Sequence, residues 1–260
     1  MIMSVRRPQI LIGTSGWSYK HWKGTFYPKH LKISDQFSYY NSIFNTVEVN
    51  NSFYRLPAKS VFEKWKDESI PDFTFAVKGS RFITHMKKLK DPQQSFALFF
   101  DRIVALGEKL GPVLFQLPPK WRVNPQRLLD FLKIIPDQLR CAFEFREPSW
   151  YNEEIASMLR KFNCAFCIYE LDGHLSPRWI TADFTYIRLH GPGGKYEGSY
   201  DDTALKSWAQ EIALWADDGL DEFVYFENDQ HGFAPANAQK LKEMCKHNQA
   251  TPATNLNQNR

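Results

Sequence analysis

The sequence predicts one α/β domain of the (β/α)8 type, a TIM-type barrel of parallel strands surrounded by helices. Short apolar runs alternate with longer helix-like stretches, and eight such runs can be counted. A chain of 260 residues without a Gly/Ser- or Pro-rich linker also has a common size for a single barrel. We therefore expect one barrel domain over residues 9–247. Residues 1–8 and 248–260 lack periodicity and are expected to be disordered.

The predicted strands are short, apolar and rich in aromatic or β-branched residues, as buried parallel strands are. They lie at residues 9–13, 46–50, 73–78, 112–117, 140–146, 164–170, 184–190 and 222–228. The spacer between the sixth and seventh runs contains Gly173 and Pro177 and is too short for a crossover helix with its loops. The barrel is therefore expected to be irregular there.

Seven stretches between the strands have helical periodicity. They lie near residues 34–44, 58–69, 92–110, 125–134, 152–162, 201–217 and 235–247. Ser34, Asp91 and Asn124 stand at the start of three of them and are expected to cap those helices. Trp208 and Trp215 are seven residues apart in one predicted helix, which is typical of a buried helix face.

Composition and charge exclude some classes of function. Hydrophobic residues make up 43% of the chain and aromatic residues 15%, which supplies a large core. The net charge of +4 is small beside 33 basic and 29 acidic residues, so nucleic acid is not favoured as a partner. The N-terminus has no long apolar run, so neither a signal peptide nor a membrane span is predicted, and the expected location is cytoplasmic.

The four cysteines are expected to be buried free thiols. Cys164 and Cys167 have the spacing of a metal-binding pair, but they lie in a predicted strand. Residues three apart on a strand point to opposite faces, so these two sulfurs are not expected to share a metal.

Polar side chains recur on one face of the predicted strands, at their carboxyl ends. Period-2 alternation turns apolar residues toward the helices and leaves a second set pointing inward. The inward set is Glu48, Asn50, Lys78, Gln116, Glu144, Arg146, Arg188 and His190. Because buried charges are costly unless paired, we expect these side chains to converge in one hydrated or ligand-filled network at the end where barrels build active sites. A structural ion-pair lattice that closes the barrel is the alternative interpretation.

Three loops that follow predicted strands add further candidates. The first contains Trp17, which offers a flat surface for a ligand. The second contains Arg81 and His85, beside the end of the third strand. The loop at 190–196 is rich in glycine, as phosphate-binding loops of barrels are, although a mobile lid or an ordinary turn has the same composition.

Six segments in order resemble domain-of-unknown-function family 72, the YecE-like family. They are GTSGWSYKHW, EVNNSFYRLP, VKGSRFITH, FQLPP, FEFREPSW and YIRLHGPGGKY, and the resemblance covers about residues 9–245. It implies a TIM-type barrel and carries no established activity. It marks Gly16, Trp17, Glu48, Asn50, Phe53, Tyr54, Lys78, Thr84, His85, Gln116, Glu144, Arg146, Arg188, His190 and Gly191. Relatives often end the last strand in a Phe-Asn-Asn-like run, so Glu227 departs from the family pattern.

These observations favour an enzyme that acts on a polar small molecule, anionic, phosphorylated or sugar-like. The catalytic candidates are Glu48 and Glu144, expected to face each other as an acid–base pair, and His190. The substrate-binding candidates are Trp17, Asn50, Tyr54, Lys78, Thr84, His85, Gln116, Arg146, Arg188 and Gly191. Among them Lys78, Arg146 and Arg188 are expected to bind an anion.

Two alternatives remain open. In the first, Glu144, Glu170, His190 and Glu227 hold a divalent metal in an isomerase-like or nuclease-like barrel. The adjacent Arg188 would repel a cation, so neither a metal nor another cofactor is expected. In the second, the pocket binds a metabolite without turnover, in a sensor or scaffold protein.

Overall fold

A computed structural model describes residues 7–194 and 196–250, and nine strands of that part of the chain form one sheet. The strands are β1 Ile10–Thr14, β2 Thr46–Val49, β3 Thr74–Lys78, β4 Leu110–Gln116, β5 Cys141–Glu144, β6 Ala165–Leu171, β7 His174–Leu175, β8 Phe184–Leu189 and β9 Asp221–Phe226. Eight of them are parallel and follow the order β1-β9-β8-β6-β5-β4-β3-β2. All eight predicted strands are therefore present.

The sheet curls until its two edge strands, β1 and β2, meet. Ser15 and Glu48 form a single parallel bridge there, and the Gly16 amide donates to the Glu48 carbonyl at 2.8 Å. A side chain at Gly13 would place its Cβ 2.4 Å from the Thr46 carbonyl oxygen, so only glycine allows this approach. The result is the nearly closed TIM-type barrel that the periodicity predicts.

Helices surround the barrel in the predicted order. They are α1 Gln36–Asn41, α2 Asn51–Tyr54, α3 Lys59–Glu68, α4 Gln93–Ile103, α5 Pro125–Leu132, α6 Glu153–Lys161, α7 Asp202–Asp217 and α8 Phe233–Ala250. The sequence did not predict α2, a single turn directly after β2. Helix α8 continues to Ala250, so residues 248–250 are helical. Residues 1–6 and 251–260, where disorder is predicted, lie outside the described residues.

Of the three predicted helix caps, one is confirmed and two are wrong. The Asn124 side chain accepts from the Arg127 amide at the start of α5. The Ser34 hydroxyl instead donates to its neighbour Asp35, two residues before α1. Asp91 adopts a left-handed backbone conformation, and Pro92 occupies the position before α4.

The predicted irregularity after β6 is confirmed. The chain turns back there, and β7 pairs antiparallel with the end of β6. No helix interrupts the described segment between β6 and β8. This hairpin extends the rim of the barrel beside the end of β6.

The core has two layers, separated by the barrel wall. Large side chains such as Phe115 and Phe143 pack outward against the helices, whereas Ala142 and Cys167 point into the barrel. The outer layer includes Cys164, so the two cysteines of the CxxC segment face opposite sides as predicted. All four cysteines are buried and free. Trp208 is buried and Trp215 packs against the same outer layer, which confirms that prediction.

None of the helices in the described part of the chain combines the length and the apolar character needed to cross a membrane.

Candidate functional site

The charged side chains gather around one arginine at the mouth, the end of the barrel where the parallel strands finish. Arg188 is fully buried on β8, and its guanidinium donates to both carboxylate oxygens of Glu48, at 3.0 and 2.9 Å. It also donates to Glu144 at 2.6 Å and to Glu227 at 2.8 Å. Charge-assisted, two-pronged hydrogen bonds of this kind are strong, so three carboxylates hold Arg188 in place.

Both carboxylate oxygens of Glu48 are engaged inside the barrel. Besides Arg188, Glu48 accepts from the Ser15 hydroxyl and, at 2.7 Å, from the Tyr186 hydroxyl. Its side chain is completely buried. Four donors therefore occupy Glu48, and neither oxygen is left for a ligand.

Glu144 lies at the end of β5 between two guanidinium groups. One carboxylate oxygen accepts from Arg146 and the other from Arg188. Burial opposes ionisation of Glu144, but attraction to Arg146 and Arg188 outweighs burial and lowers the pKa of Glu144 to about 2. Glu144 is therefore a carboxylate throughout the neutral pH range and carries no proton to donate.

The two ring nitrogens of His190 have different surroundings. Nδ1 lies 2.5 Å from Glu227, whereas Nε2 lies 3.2 Å from Arg146 and 3.4 Å from Arg188. Because guanidinium nitrogens only donate, Nε2 carries the lone pair and Nδ1 carries the proton. Burial lowers the pKa of His190 despite the neighbouring carboxylate of Glu227. His190 is therefore a neutral imidazole in one tautomer.

A lysine and a histidine share one aromatic ring beside this network. Lys78 ends β3, is buried, and places its Nζ 4.7 Å from the centre of the Phe53 ring. His85 contacts the same ring, with 5.0 Å between ring centres, and its Nδ1 lies 2.9 Å from the Thr84 hydroxyl. Burial and then the charge of Arg188 lower the pKa of Lys78. Burial, followed by the charge of Lys78, lowers the pKa of His85 to about 4.

One pocket at the mouth is lined by three carboxyl residues, and we call it the acidic pocket. Its volume is about 660 Å³, and it is lined by Tyr19, His21, Tyr54, Tyr196, Glu197, Glu227, Asp229, Gln230 and His231. Burial opposes ionisation of Glu227, but Arg188 and His190 hold its pKa well below the usual range. Burial raises the pKa of Asp229, and the charge of Glu227 adds to that effect. Glu227 and Asp229, which both line this pocket, therefore have opposite pKa shifts.

The second pocket contains Arg146, and we call it the arginine pocket. Its volume is about 510 Å³, and it is lined by Gln116, Pro119, Arg146, Pro148, Tyr151, Tyr169, Leu171, Asp172, His174 and Tyr196. The Arg146 guanidinium lies 4.9 Å from the centre of the Tyr169 ring. Tyr196 borders both pockets and packs against His190, with 5.5 Å between ring centres. Tyr196 thus lies between the acidic pocket and the arginine pocket.

Most of the predicted site residues lie together at the mouth. The network contains Glu48, Asn50, Glu144, Arg146, Arg188 and His190. Lys78 and His85 lie beside it, Thr84 contacts His85, Gln116 lines the arginine pocket, and Tyr54 lines the acidic pocket.

Two predicted site residues have other contacts. Trp17 packs against Phe37 and Trp65, with 5.0 and 5.1 Å between ring centres, as part of the outer core layer. The Gly191 amide donates to the Tyr200 hydroxyl at 3.1 Å. A Cβ at Gly191 would lie 2.1 Å from the Glu197 carbonyl oxygen, so glycine is required there for the folding of the loop.

Sequence reasoning missed several residues of the network. Ser15 bonds Glu48, Asn50 and Arg188, and Tyr186 bonds Glu48. Both follow the inward alternation of their strands, so the same period-2 pattern indicates them. Asp229, which accepts from the Trp22 indole N–H, has no comparable strand signal.

The four side chains of the metal hypothesis do not converge. Glu144, His190 and Glu227 belong to the Arg188 network, whereas Glu170 interacts with the Tyr200 hydroxyl. In residues 7–194 and 196–250, no group of three or more His, Cys, Asp or Glu side chains is arranged to hold a metal ion.

The fold and the mouth together define a TIM-type barrel with a buried ionic network at the carboxyl ends of its strands. A family sequence profile described as "Protein of unknown function DUF72" matches residues 11–259. The chain belongs to this family, and the resemblance seen in its motifs is confirmed.

Individual relatives agree with this assignment. The chain is 28% identical to UPF0759 protein YunF of Bacillus subtilis (strain 168) over 268 residues, 90% of this chain and 94% of the relative. It is 28% identical to UPF0759 protein YecE of Escherichia coli (strain K12) over 145 residues, 55% of this chain and 50% of the relative. A crystal structure of a DUF72 family protein from Thermotoga maritima MSB8 has 29% identity and a TM-score of 0.82, covering 92% of this chain and 99% of its own.

A DUF72 family protein from Enterococcus faecalis V583 has the same fold, with a TM-score of 0.77 at 18% identity, covering 97% of this chain and 99% of its own. These similarities establish the family and the barrel fold. None of these relatives carries a described reaction in its name.

Proposed function

We propose that the protein is an enzyme that acts on a polar, carbohydrate-like small molecule by acid–base chemistry in the acidic pocket. The observation that carries this proposal is the pair Glu227 and Asp229, which line one pocket and have pKa values shifted in opposite directions. Two carboxyl groups whose surroundings separate their pKa values are suited to divide the roles of base and acid.

In this proposal Glu227 is the base or nucleophile and Asp229 is the proton donor. Arg188 and His190 hold Glu227 as an anion, although its side chain is 16% exposed and faces the pocket. Asp229 is bonded by the Trp22 indole and lies 3.0 Å from His21 Nε2, which fixes its orientation. Aromatic side chains such as Tyr54, which is 74% exposed, offer stacking surfaces for a sugar ring.

The acid–base pair expected from the sequence, Glu48 and Glu144, has a different role in this proposal. Donors from the protein occupy their oxygens, and Glu144 stays ionised at neutral pH. We assign them to orienting Arg188, which in turn holds Glu227. Arg188 then has no free face for an anion, so recognition of a phosphate or carboxylate group falls to Arg146 and Gln116 in the arginine pocket. As the sequence leads us to expect, we also propose that the partner is a small molecule and that the protein is cytoplasmic.

The test combines binding and turnover. Thermal shift with sugars and sugar phosphates measures binding, and a panel of 4-nitrophenyl glycosides reports hydrolysis. We expect Glu227→Gln and Asp229→Asn each to lower kcat by about 10²- to 10⁴-fold, the range for loss of a general acid or base. Because Asp229 has to be protonated, activity should fall as the pH rises through its raised pKa.

Glu222→Gln is the matched control, because it changes a buried carboxyl to an amide at the opposite end of the barrel. Its kcat should equal that of the unmodified protein. Full turnover in both Glu227→Gln and Asp229→Asn would overturn the assignment. Sugar binding that depends on Glu227, without turnover of any substrate, would instead favour a metabolite sensor.

A further inference from the structure

Lys78 has an environment unlike that of the other charged groups at the mouth. It is 7% exposed, and its Nζ contacts the face of the Phe53 ring. In the described part of the chain, all three network carboxylates pair with Arg188, and Glu144 and Glu227 also pair with Arg146 and His190, respectively. None of them forms an ion pair with Lys78. The Lys78 amine is thus held against a hydrocarbon surface without an oxygen partner among the described residues, and it keeps some contact with solvent.

A second buried lysine shows how this chain satisfies an ammonium group that has a structural role. Lys109 is 8% exposed, close to the value for Lys78. Its Nζ donates to the Lys66 carbonyl at 2.8 Å, the Ser69 carbonyl at 2.9 Å and the Ser69 hydroxyl at 2.8 Å. Three acceptors match the three N–H groups of an ammonium ion. Lys78 has no comparable set of acceptors in the described part of the chain.

The surroundings of Lys78 make its neutral amine easier to form than that of a lysine in water, although the nearby carboxylates of Glu227, Glu48 and Glu144 act in the opposite direction. Burial removes the hydration of a charge, and the Arg188 guanidinium adds repulsion, and both lower the pKa of Lys78. Desolvation and a neighbouring cation are the two devices that activate a lysine as a nucleophile. His85 contacts the same Phe53 ring.

We infer that Lys78 is a nucleophile that forms an imine with the carbonyl group of an open-chain sugar or a related hydroxy-aldehyde or ketone. The inference rests on the proposed function, because it places the carbonyl form of a carbohydrate-like substrate at the same mouth. It adds a covalent step and a carbonyl-containing class of substrate to that function.

The step needs no co-reactant. The neutral Nζ attacks the carbonyl carbon, a C–N bond forms, and the π electron pair moves to the oxygen. The nitrogen loses a proton and the oxygen gains one, which gives a carbinolamine. The C–O bond then breaks, water leaves with a second proton from the nitrogen, and the C=N bond forms.

Reductive trapping tests the inference on the full-length protein. The protein is incubated with glycolaldehyde, D-glyceraldehyde or dihydroxyacetone, reduced with sodium borohydride, and mapped by peptide mass spectrometry. We expect the reduced adduct on Lys78 at least tenfold above that on Lys109, and its formation should persist at a pH where exposed lysines no longer react. Lys78→Arg should lose the adduct, but the comparison of the two lysines in the unmodified protein does not depend on that variant folding.

Adducts confined to surface lysines, with Lys78 unmodified, would overturn the inference. Thermal shift with the same three compounds, without borohydride, separates this failure from that of the proposed function. A shift that requires Glu227 while Lys78 stays unmodified refutes the imine and keeps the acid–base proposal. If none of the three compounds gives an adduct on Lys78 or a thermal shift, the imine is overturned. That result also counts against sugar binding at the mouth.

Discussion

The two ends of the barrel treat a buried carboxyl group in opposite ways. At the mouth, Glu144 is completely buried between Arg146 and Arg188, and its pKa is lowered to about 2. At the amino-terminal end, Glu222 is equally buried, and one of its oxygens accepts from the Thr185 hydroxyl while the other has no hydrogen-bond partner.

Burial raises the pKa of Glu222 to about 8, since no cation offsets the cost of placing a charge there. Equal burial thus produces a permanent anion at one end and a neutral acid at the other. The presence of a guanidinium partner, and not depth in the protein, decides the ionisation. A pocket of about 500 Å³ at the amino-terminal end includes Arg140 and lies at the opposite end of the barrel from the ionic network.

The largest effect should come from removing the cation that the mouth depends on. Arg188→Met leaves Glu48, Glu144 and Glu227 without their shared partner, and an uncompensated buried charge costs about 3–5 kcal/mol. Urea unfolding at neutral pH measures the loss. Arg188→Lys keeps the positive charge but loses the forked geometry of the guanidinium. Its free energy of unfolding should lie between those of the unmodified protein and Arg188→Met. A change below about 1 kcal/mol in Arg188→Met would mean that the network adds little to stability.

The second prediction concerns the neutral acid at the other end. Between the ordinary glutamate pKa of about 4.5 and the folded value of about 8, the folded protein keeps a proton on Glu222 that the unfolded chain has lost. The free energy of unfolding should therefore fall as the pH rises through this range, by up to about 1.4 kcal/mol per pH unit, and level off above it.

Glu222→Gln keeps the shape of the side chain and removes the ionisable group. Its unfolding free energy, measured by urea titration at several pH values, should lack this contribution to the slope. Parallel curves for the two proteins would show that Glu222 is already ionised at neutral pH, and the contrast between the two ends would disappear.

The smallest effect is expected from the ion pair at the amino-terminal end. Arg140 lies 2.7 Å from Asp221, but its side chain is 31% exposed, and Asp221 also accepts from the Gln9 amide. Arg140→Gln should cost about 1 kcal/mol or less, as partly exposed pairs do. The same urea experiment compares it with Arg188→Met. A loss as large as that of the mouth variant would show that both ends rely on buried charge pairs.

Local pattern predicted the strands and the inward charges, because both follow the period of 2 along a strand. Glu48, Glu144 and Arg188 were found in this way. Pattern alone did not predict which cation holds which carboxylate, since those pairs join strands far apart in sequence. Hydroxyl groups such as that of Tyr186 were missed because tyrosine is ordinary in a strand. The caps predicted at Ser34 and Asp91 were wrong because the chain turns differently before each helix.

The ionic network helps to close the barrel where β1 and β2 meet. Along most of their length these two strands lack the ladder of backbone hydrogen bonds that joins the other neighbours. Side chains join these two strands instead. The Ser15 hydroxyl, directly after β1, donates to Glu48 of β2, and Arg188 of β8 donates to Glu48 from across the barrel. The ionic network therefore helps to hold β1 and β2 together. A ligand that rearranged the network would also weaken the closure of the barrel between these two strands.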